Sequence, residues 1–305
     1  MALAPPSSTE SLRFVDYLLS GYLGIVSIVA IIRAPAQPGC WWLLLAHALF
    51  GVLLFLLTRP GLGPTGRTIR EIYPLLLLVA FYAELDVLNG PDTRVVHDAL
   101  VQRWELALFG TQASVTWWQS APSRFWSTVL HAAYFSYYFI VLVPALYFVW
   151  SGKIEAVRHF VLSLMIVFVF CYLVFIFFPV AGPYYQFPPP PAWFTDNLPA
   201  RLVYATLASG SSYGAAFPSS HVAATVAAAI ASYRGSRRLG LLLVVPTVLL
   251  TVGVVYCQMH YGVDAVAGLG IGLTVAWALG TRRSPAAIGA PFAEHARSLA
   301  TPRVG

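Results

Sequence analysis

The sequence predicts an all-α membrane protein, a polytopic transmembrane helical bundle of about eight spans. Three observations predict it. Hydrophobic residues fill 58% of the 305 positions and charged residues only 10%, where a soluble domain carries about 25% charged residues. The apolar residues come in runs near the roughly 20 positions that a helix needs to cross the hydrocarbon core. The basic residues gather in alternate connections between those runs, as they do on cytoplasmic loops.

The eight runs are Phe14–Ile32, Trp41–Leu57, Ile72–Leu88, Trp126–Trp150, His159–Pro179, Phe217–Tyr233, Leu239–Tyr256 and Val263–Gly280. Each is expected to be helical, because a lone strand in lipid leaves its backbone groups unpaired. The first run has no clear small-residue cleavage site after it and reads as a retained span. Asn89–Phe125 is mixed and tryptophan-rich, as expected of helices lying at the interface. Val180–Ala216 holds the run Pro188–Pro191 with Gly210 and Gly214, and reads as a loop with one short helix. Met1–Glu10 and Thr281–Gly305 read as loose tails.

With the N-terminus placed inside, thirteen Lys and Arg fall on the inner segments and five on the outer ones. The positive-inside rule then makes both termini cytoplasmic and turns the two long connections outward. The net charge of +6 is accounted for by those inner loops, so no nucleic-acid partner is inferred. Cys40, Cys171 and Cys257 are odd in number and widely spaced, which fits neither a disulfide framework nor a zinc site. They read as small buried apolar residues.

Two stretches differ from membrane filler. Phe217-Pro218-Ser219-Ser220-His221 precedes an alanine-rich helix, and His260-Tyr261-Gly262-Val263-Asp264 joins the last two spans. Eight spans put both at the outer face with one helical hairpin between them. His260 and Asp264 are four residues apart, on one helical face. A carboxylate there can take the proton of one ring nitrogen and leave the other free to attack. Pro218 and Ser219 suit a helix start, whose free N–H groups favour an anion. His221, in that first turn, can protonate a leaving group. Nucleophile, acid and anion seat together describe phosphoryl transfer. Two histidines and an aspartate can also bind zinc, although the Pro-Ser-Ser-His context argues against it. Ser220 lacks the glycine-flanked elbow of a hydrolase nucleophile.

These two stretches, with Ala267-Gly268, resemble the second and third signature motifs of the type 2 phosphatidic acid phosphatase superfamily. Trp104–Gly110, Ala133–Tyr138 and Phe178–Pro183 resemble its inositol phosphorylceramide synthase-like branch. The resemblance runs from about Glu84 to Gly272. It implies a six-helix phosphatase-like core and a membrane lipid phosphatase or lipid headgroup phosphotransferase acting through a phosphohistidine. His260 would be the nucleophile, Asp264 its orienting partner and His221 the general acid. Ser219, Ser220, Gly182 and Pro183 would line the phosphate seat. The substrate would be a lipid phosphate or phospholipid, with no cofactor and no metal. The domains expected are 1–70, a cytoplasmic end with two extra transmembrane helices; 71–282, the catalytic membrane domain; and 283–305, a cytoplasmic tail. The expected location is the plasma membrane, with the site facing outward.

The sequence departs from the family's pattern where phosphate-binding arginines are expected. Gly253 and Val254 replace a Ser-Arg pair, Gln258 replaces an arginine, and Ala181 and Tyr184 flank the Gly-Pro pair. A phosphate needs cationic or strong donor contacts. Arg201 leads straight towards the second motif and is the first candidate, ahead of Arg124, Arg103 and Arg94; Gln258 can donate neutral hydrogen bonds. The missing arginines also leave open a non-catalytic transporter or scaffold with the same fold. Glu84 and Asp86 are intramembrane carboxylates on different helical faces. His131 reads as a satisfied bundle histidine. Tyr134, Tyr137 and Tyr138 read as an aromatic belt or packing, with lining of a lipid cleft as the second option. Trp117 and Trp118 read as interfacial anchors.

Overall fold

The computed structural model describes residues 12–59, 61–89, 95–210 and 212–280. The expected tails and Arg94 lie outside them. The described chain is an all-α polytopic bundle, ordered α1 (Phe14–Arg33), α2 (Cys40–Leu57), α3 (Pro64–Asn89), α4 (Asp98–Phe109), α5 (Ala113–Ser120), α6 (Arg124–Phe135), α7 (Tyr137–Trp150), α8 (Ile154–Phe177), α9 (Pro183–Gln186), α10 (Ala192–Thr195), α11 (Leu198–Gly210), α12 (Ser220–Gly235), α13 (Arg237–Tyr256) and α14 (Gly262–Gly280).

Among the described residues six segments are long and apolar enough to cross a membrane: α1, α2, the stretch Arg124–Trp150, α8, α13 and α14. The other two expected spans are helices of a different kind. α3 carries Arg67, Arg70, Glu71, Glu84 and Asp86. α12 has 16 residues, or about 24 Å at 1.5 Å per residue. It packs against α7, α8, α13 and α14, so protein rather than lipid surrounds it. Such a position selects small side chains for close approach, not high hydropathy, and the α12 core is largely alanine.

Two boundaries differ from expectation. Val180–Ala216 contains three helices, α9, α10 and α11, not one. The proline run occupies only the link between α9 and α10, while Ala200 and Val203 of α11 are buried against α6. The division at residue 70 falls inside α3, because that helix begins at Pro64. α1 packs on α3 and α8 and belongs to the same bundle.

The end of the bundle holding the N-terminus of α1 is tied by charge. Tyr73 Oη donates to buried Asp16 at 2.5 Å, and Arg70 Nη2 does so at 3.1 Å. Glu71 receives Arg13 at 2.7 Å and Arg158 at 2.8 Å. A buried carboxylate needs such partners to offset lost hydration. At the opposite end Arg33 donates to the carbonyls of Leu88 (2.6 Å) and Ile176 (3.4 Å), capping the last turns of α3 and α8.

α12 and α14 approach closely, and glycine makes it possible. A Cβ on Gly268 would lie 2.4 Å from the Ser219 carbonyl oxygen, and one on Gly272 would lie 2.7 Å from that of Ala223. Both obstacles are backbone and cannot rotate away. Gly268→Leu is expected to lower stability by about 1–3 kcal/mol or more, read as a drop in the thermal midpoint of the detergent-solubilised protein. Gly270→Ala, which meets nothing within 4 Å, serves as the neutral control.

Candidate active site

The two histidine stretches meet at one end of α12 and α14. Ser219 is the N-cap of α12, and its side chain accepts from Val222 N. Its own N–H donates to the Asp264 carbonyl at 3.0 Å. This bond ties the start of one helix to the first turn of the other. The rings of His221 and His260 lie 5.6 Å apart between centroids.

His260 is oriented by two acceptors. Its Nδ1 lies 3.0 Å from the Ala216 carbonyl oxygen and 3.5 Å from Asp264 Oδ2. A carbonyl can only accept, so the proton belongs on Nδ1 and the lone pair on Nε2. The sequence pointed to Asp264 alone; the nearer partner is the backbone of Ala216. Asp264 Oδ2 also accepts from Tyr261 N at 2.8 Å.

A cavity of about 420 Å³ opens beside this pair. Ser220, His221 and His260 line its polar end. Leu75, Val79, Val141 and Leu142 line its apolar end. Val79 is 78% exposed and Leu142 52%, so the cavity reaches the apolar flank of the bundle. Tyr134, Tyr137 and Tyr138 border it too; cavity lining, the second option for them, is what the structure places there.

The other sequence-derived candidates divide. Ser219 is fully buried as the cap and does not line the cavity. Gly182 and Pro183 do not line it either: Gly182 has φ +93°, and a Cβ there would lie 2.9 Å from that of Ala216. Gln258 is buried and structural in its contacts, donating to the Pro188 carbonyl at 2.9 Å and accepting from Trp118 Nε1 at 3.2 Å. The side chain of Arg201 is 68% exposed, 4.0 Å from Asp196 Oδ1, and lies off the cavity. Arg124 donates to the Asp196 carbonyl on the exposed surface, and Arg103 is exposed. Among the described residues no Lys or Arg lines the cavity.

Glu84 turns away from the site, 3.2 Å from His47 Nε2 and 3.4 Å from Tyr22 Oη. His131 is buried with Nδ1 2.7 Å from the Ser127 carbonyl. Among the described residues no group of three or more His, Cys, Asp or Glu is placed to hold a metal ion.

Two carboxylates of α4 carry positions that sequence reasoning missed. Asp98 accepts from Ala181 N (2.7 Å), Gly182 N (2.8 Å) and Tyr261 Oη (2.9 Å). Glu105 accepts from Gly262 N (3.0 Å) and Val263 N (2.9 Å), the first turn of α14. Both are buried. Burial, and then the Asp98 charge, push the Tyr261 hydroxyl well above its ordinary pKa, which keeps it a donor. The available signal was spacing: residues seven apart share a helical face, and two acidic residues so placed on a face that is buried need donors.

Fold and site together define a helical membrane bundle built round a paired-histidine cavity. A PAP2 superfamily model, PAP2_3, matches residues 100–278, a span that includes Glu105, Gly182, His221, His260 and Asp264. The chain belongs to the PAP2 superfamily, whose members are phosphoesterases or phosphotransferases. No curated protein and no solved structure matches it.

Asp98→Asn keeps the size of the side chain but turns one acceptor into a donor facing an N–H. It is expected to cut kcat on a phosphate ester by about tenfold to a hundredfold through a shifted Gly182 loop and Tyr261, with the protein still folded. Steady-state kinetics beside a thermal melt checks this.

Proposed function

We propose that the protein is a membrane-embedded phosphoryl-transfer enzyme that takes a lipid phosphate ester and forms a phosphohistidine on His260. The observation that carries this reading is the tautomer forced on His260: Nδ1 faces a carbonyl and a carboxylate, and Nε2 is left as the nucleophile. The cavity supports a lipid substrate, since it runs from the histidines to the exposed apolar side chains of Val79 and Leu142.

In the first step the Nε2 lone pair attacks phosphorus and the P–O bond to the leaving group breaks. The departing oxygen takes a proton from His221. Positive charge on the His260 ring is met by Asp264 and the Ala216 carbonyl. First-turn N–H groups of α12 and the Ser220 hydroxyl face the phosphoryl oxygens, in place of the missing guanidinium groups. In the second step an acceptor hydroxyl gives its proton to His221, attacks phosphorus and breaks the P–N bond. With water as acceptor the enzyme is a lipid phosphatase. With a lipid alcohol such as a ceramide-like hydroxyl it is a headgroup phosphotransferase, the outcome favoured by the synthase-like stretches Trp104–Gly110, Ala133–Tyr138 and Phe178–Pro183. No metal takes part.

We place the site at the outer face of the plasma membrane with both termini inside. The Arg and Lys distribution supports this, and Arg13, Arg70 and Arg158 gather at the end of the bundle away from the histidines. A label in the Pro188–Pro191 loop is then reachable from outside intact cells; labelling only after permeabilisation reverses the orientation.

Phosphorus-labelled dioctanoyl phosphatidic acid and headgroup-labelled short-chain phosphatidylinositol, with EDTA present, test the chemistry. The expected result is an acid-labile, base-stable labelled enzyme, absent in His260→Ala, with turnover down on the order of a thousandfold or more. Activity lost in EDTA and restored by zinc sinks the mechanism. Absence of turnover on both lipids favours the scaffold reading.

A further inference from the structure

His221 is held quite differently from its partner histidine. His260 leans on a carbonyl and a carboxylate. His221 has no ion pair with Asp or Glu among the described residues, and its buried Nδ1 has no hydrogen-bond partner. What flanks the ring is aromatic. Tyr134, near the end of α6, stacks on it with centroids 4.9 Å apart and 27° between planes. Tyr137, the first residue of α7, lies 4.4 Å away, tilted by 51°. Tyr134 Oη is 3.4 Å from His221 Nε2.

The backbone explains why two rings reach one imidazole. Ser136 closes α6 and opens α7 in nearly helical geometry, and its Oγ donates to the Ala133 carbonyl at 2.6 Å. The two helices therefore continue as one bent rod. Residues three apart on such a rod face the same way, so Tyr134 and Tyr137 turn together towards the first turn of α12.

We propose that Tyr134 and Tyr137 form an aromatic clamp that positions His221 as the proton donor and carries its positive charge on their π faces. This rests on the role proposed for His221 above. The chemistry favours rings over a carboxylate at this place. A carboxylate would hold the proton in a charge-assisted hydrogen bond. An aromatic face attracts a cation without competing for its proton, which stays free to move to the leaving oxygen. The other titratable groups bordering the same space are His260, Tyr82 of α3, Tyr138 of α7, Tyr172 of α8, and Tyr184 and Tyr185 of α9, with Asp264 directed to His260; α13 contributes no lining residue. Simple core packing explains one buried tyrosine, but not two rings on the catalytic imidazole at the edge of the cavity.

The test uses the full-length protein in detergent and two probes that differ in their need for an acid. Octyl phosphate leaves as a poor alkoxide and requires a proton. 4-Nitrophenyl phosphate leaves as a stable anion and does not. Variants are Tyr134→Leu and Tyr137→Leu, which keep bulk without a π face, and Tyr134→Phe and Tyr137→Phe, which keep the face. The leucine variants are expected to lose about tenfold or more in kcat on octyl phosphate, with KM within about twofold and 4-nitrophenyl phosphate turnover within about threefold. The phenylalanine variants are expected to stay within about threefold on both probes. Equal losses on both probes mean a damaged fold and overturn the clamp. So does a phenylalanine variant as impaired as its leucine counterpart, which assigns the effect to the hydroxyl. His221→Ala is the reference. If it spares 4-nitrophenyl phosphate while the leucine variants behave like the unaltered protein, the clamp alone fails. If it lowers both probes alike, or if the unaltered protein turns over neither, the proposed role of His221 fails and the clamp with it.

Discussion

The contact between α12 and α14 is the constraint on which the rest depends. Each helix delivers one half of the site from its first turn, and neither half has meaning without the other. Gly268 and Gly272 let the backbones approach until the Ser219 N–H reaches the Asp264 carbonyl. Helices in lipid gain little from burying apolar surface and associate through close packing and hydrogen bonds. A small-residue seam therefore serves two ends here. It holds the most enclosed helix in the bundle, and it fixes the two histidine rings 5.6 Å apart.

A second frame surrounds that pair from outside. α4 lies between the spans, yet its two buried carboxylates bind the Ala181-Gly182 loop, the Tyr261 hydroxyl and the first N–H groups of α14. Burying a carboxylate is expensive unless donors satisfy it. Here five donors do, all of them neutral. The negative charge of α4 is thereby spread into backbone dipoles at the edge of the site. Among the described residues no Lys or Arg lines the cavity, so these carboxylates brace backbone and do not pair with cations at its edge.

Much of this was legible in the sequence because it depends on local signals. Apolar runs gave the helices, and the Pro-Ser-Ser-His and His-x-x-x-Asp spacings gave the two turns that meet beside the cavity. Long-range pairing left no such trace. The carbonyl of Ala216 is the nearest acceptor for His260, and no side-chain rule can name a backbone atom 44 residues away. Arg201 and Gln258 were sensible substitutes for missing arginines by position, but they turn to Asp196 and to Pro188 and Trp118. α12 read as an ordinary span because hydropathy does not distinguish a lipid-facing helix from one sheathed in protein. The proline run masked α11, whose buried face is set by α6 and not by its own neighbours in sequence.

The ties at the two ends of α1, α3 and α8 have a mechanical consequence. Asp16, Glu71 and their arginines join the three helices at one end, and Arg33 joins them at the other. A trio fastened at both ends behaves as a stationary wall. The cavity is lined by residues of α3 and α8 from that trio, and by residues of α6, α7 and α11 from outside it. The two rings on His221, those of Tyr134 and Tyr137, are thus carried by helices outside the trio that these ties fasten.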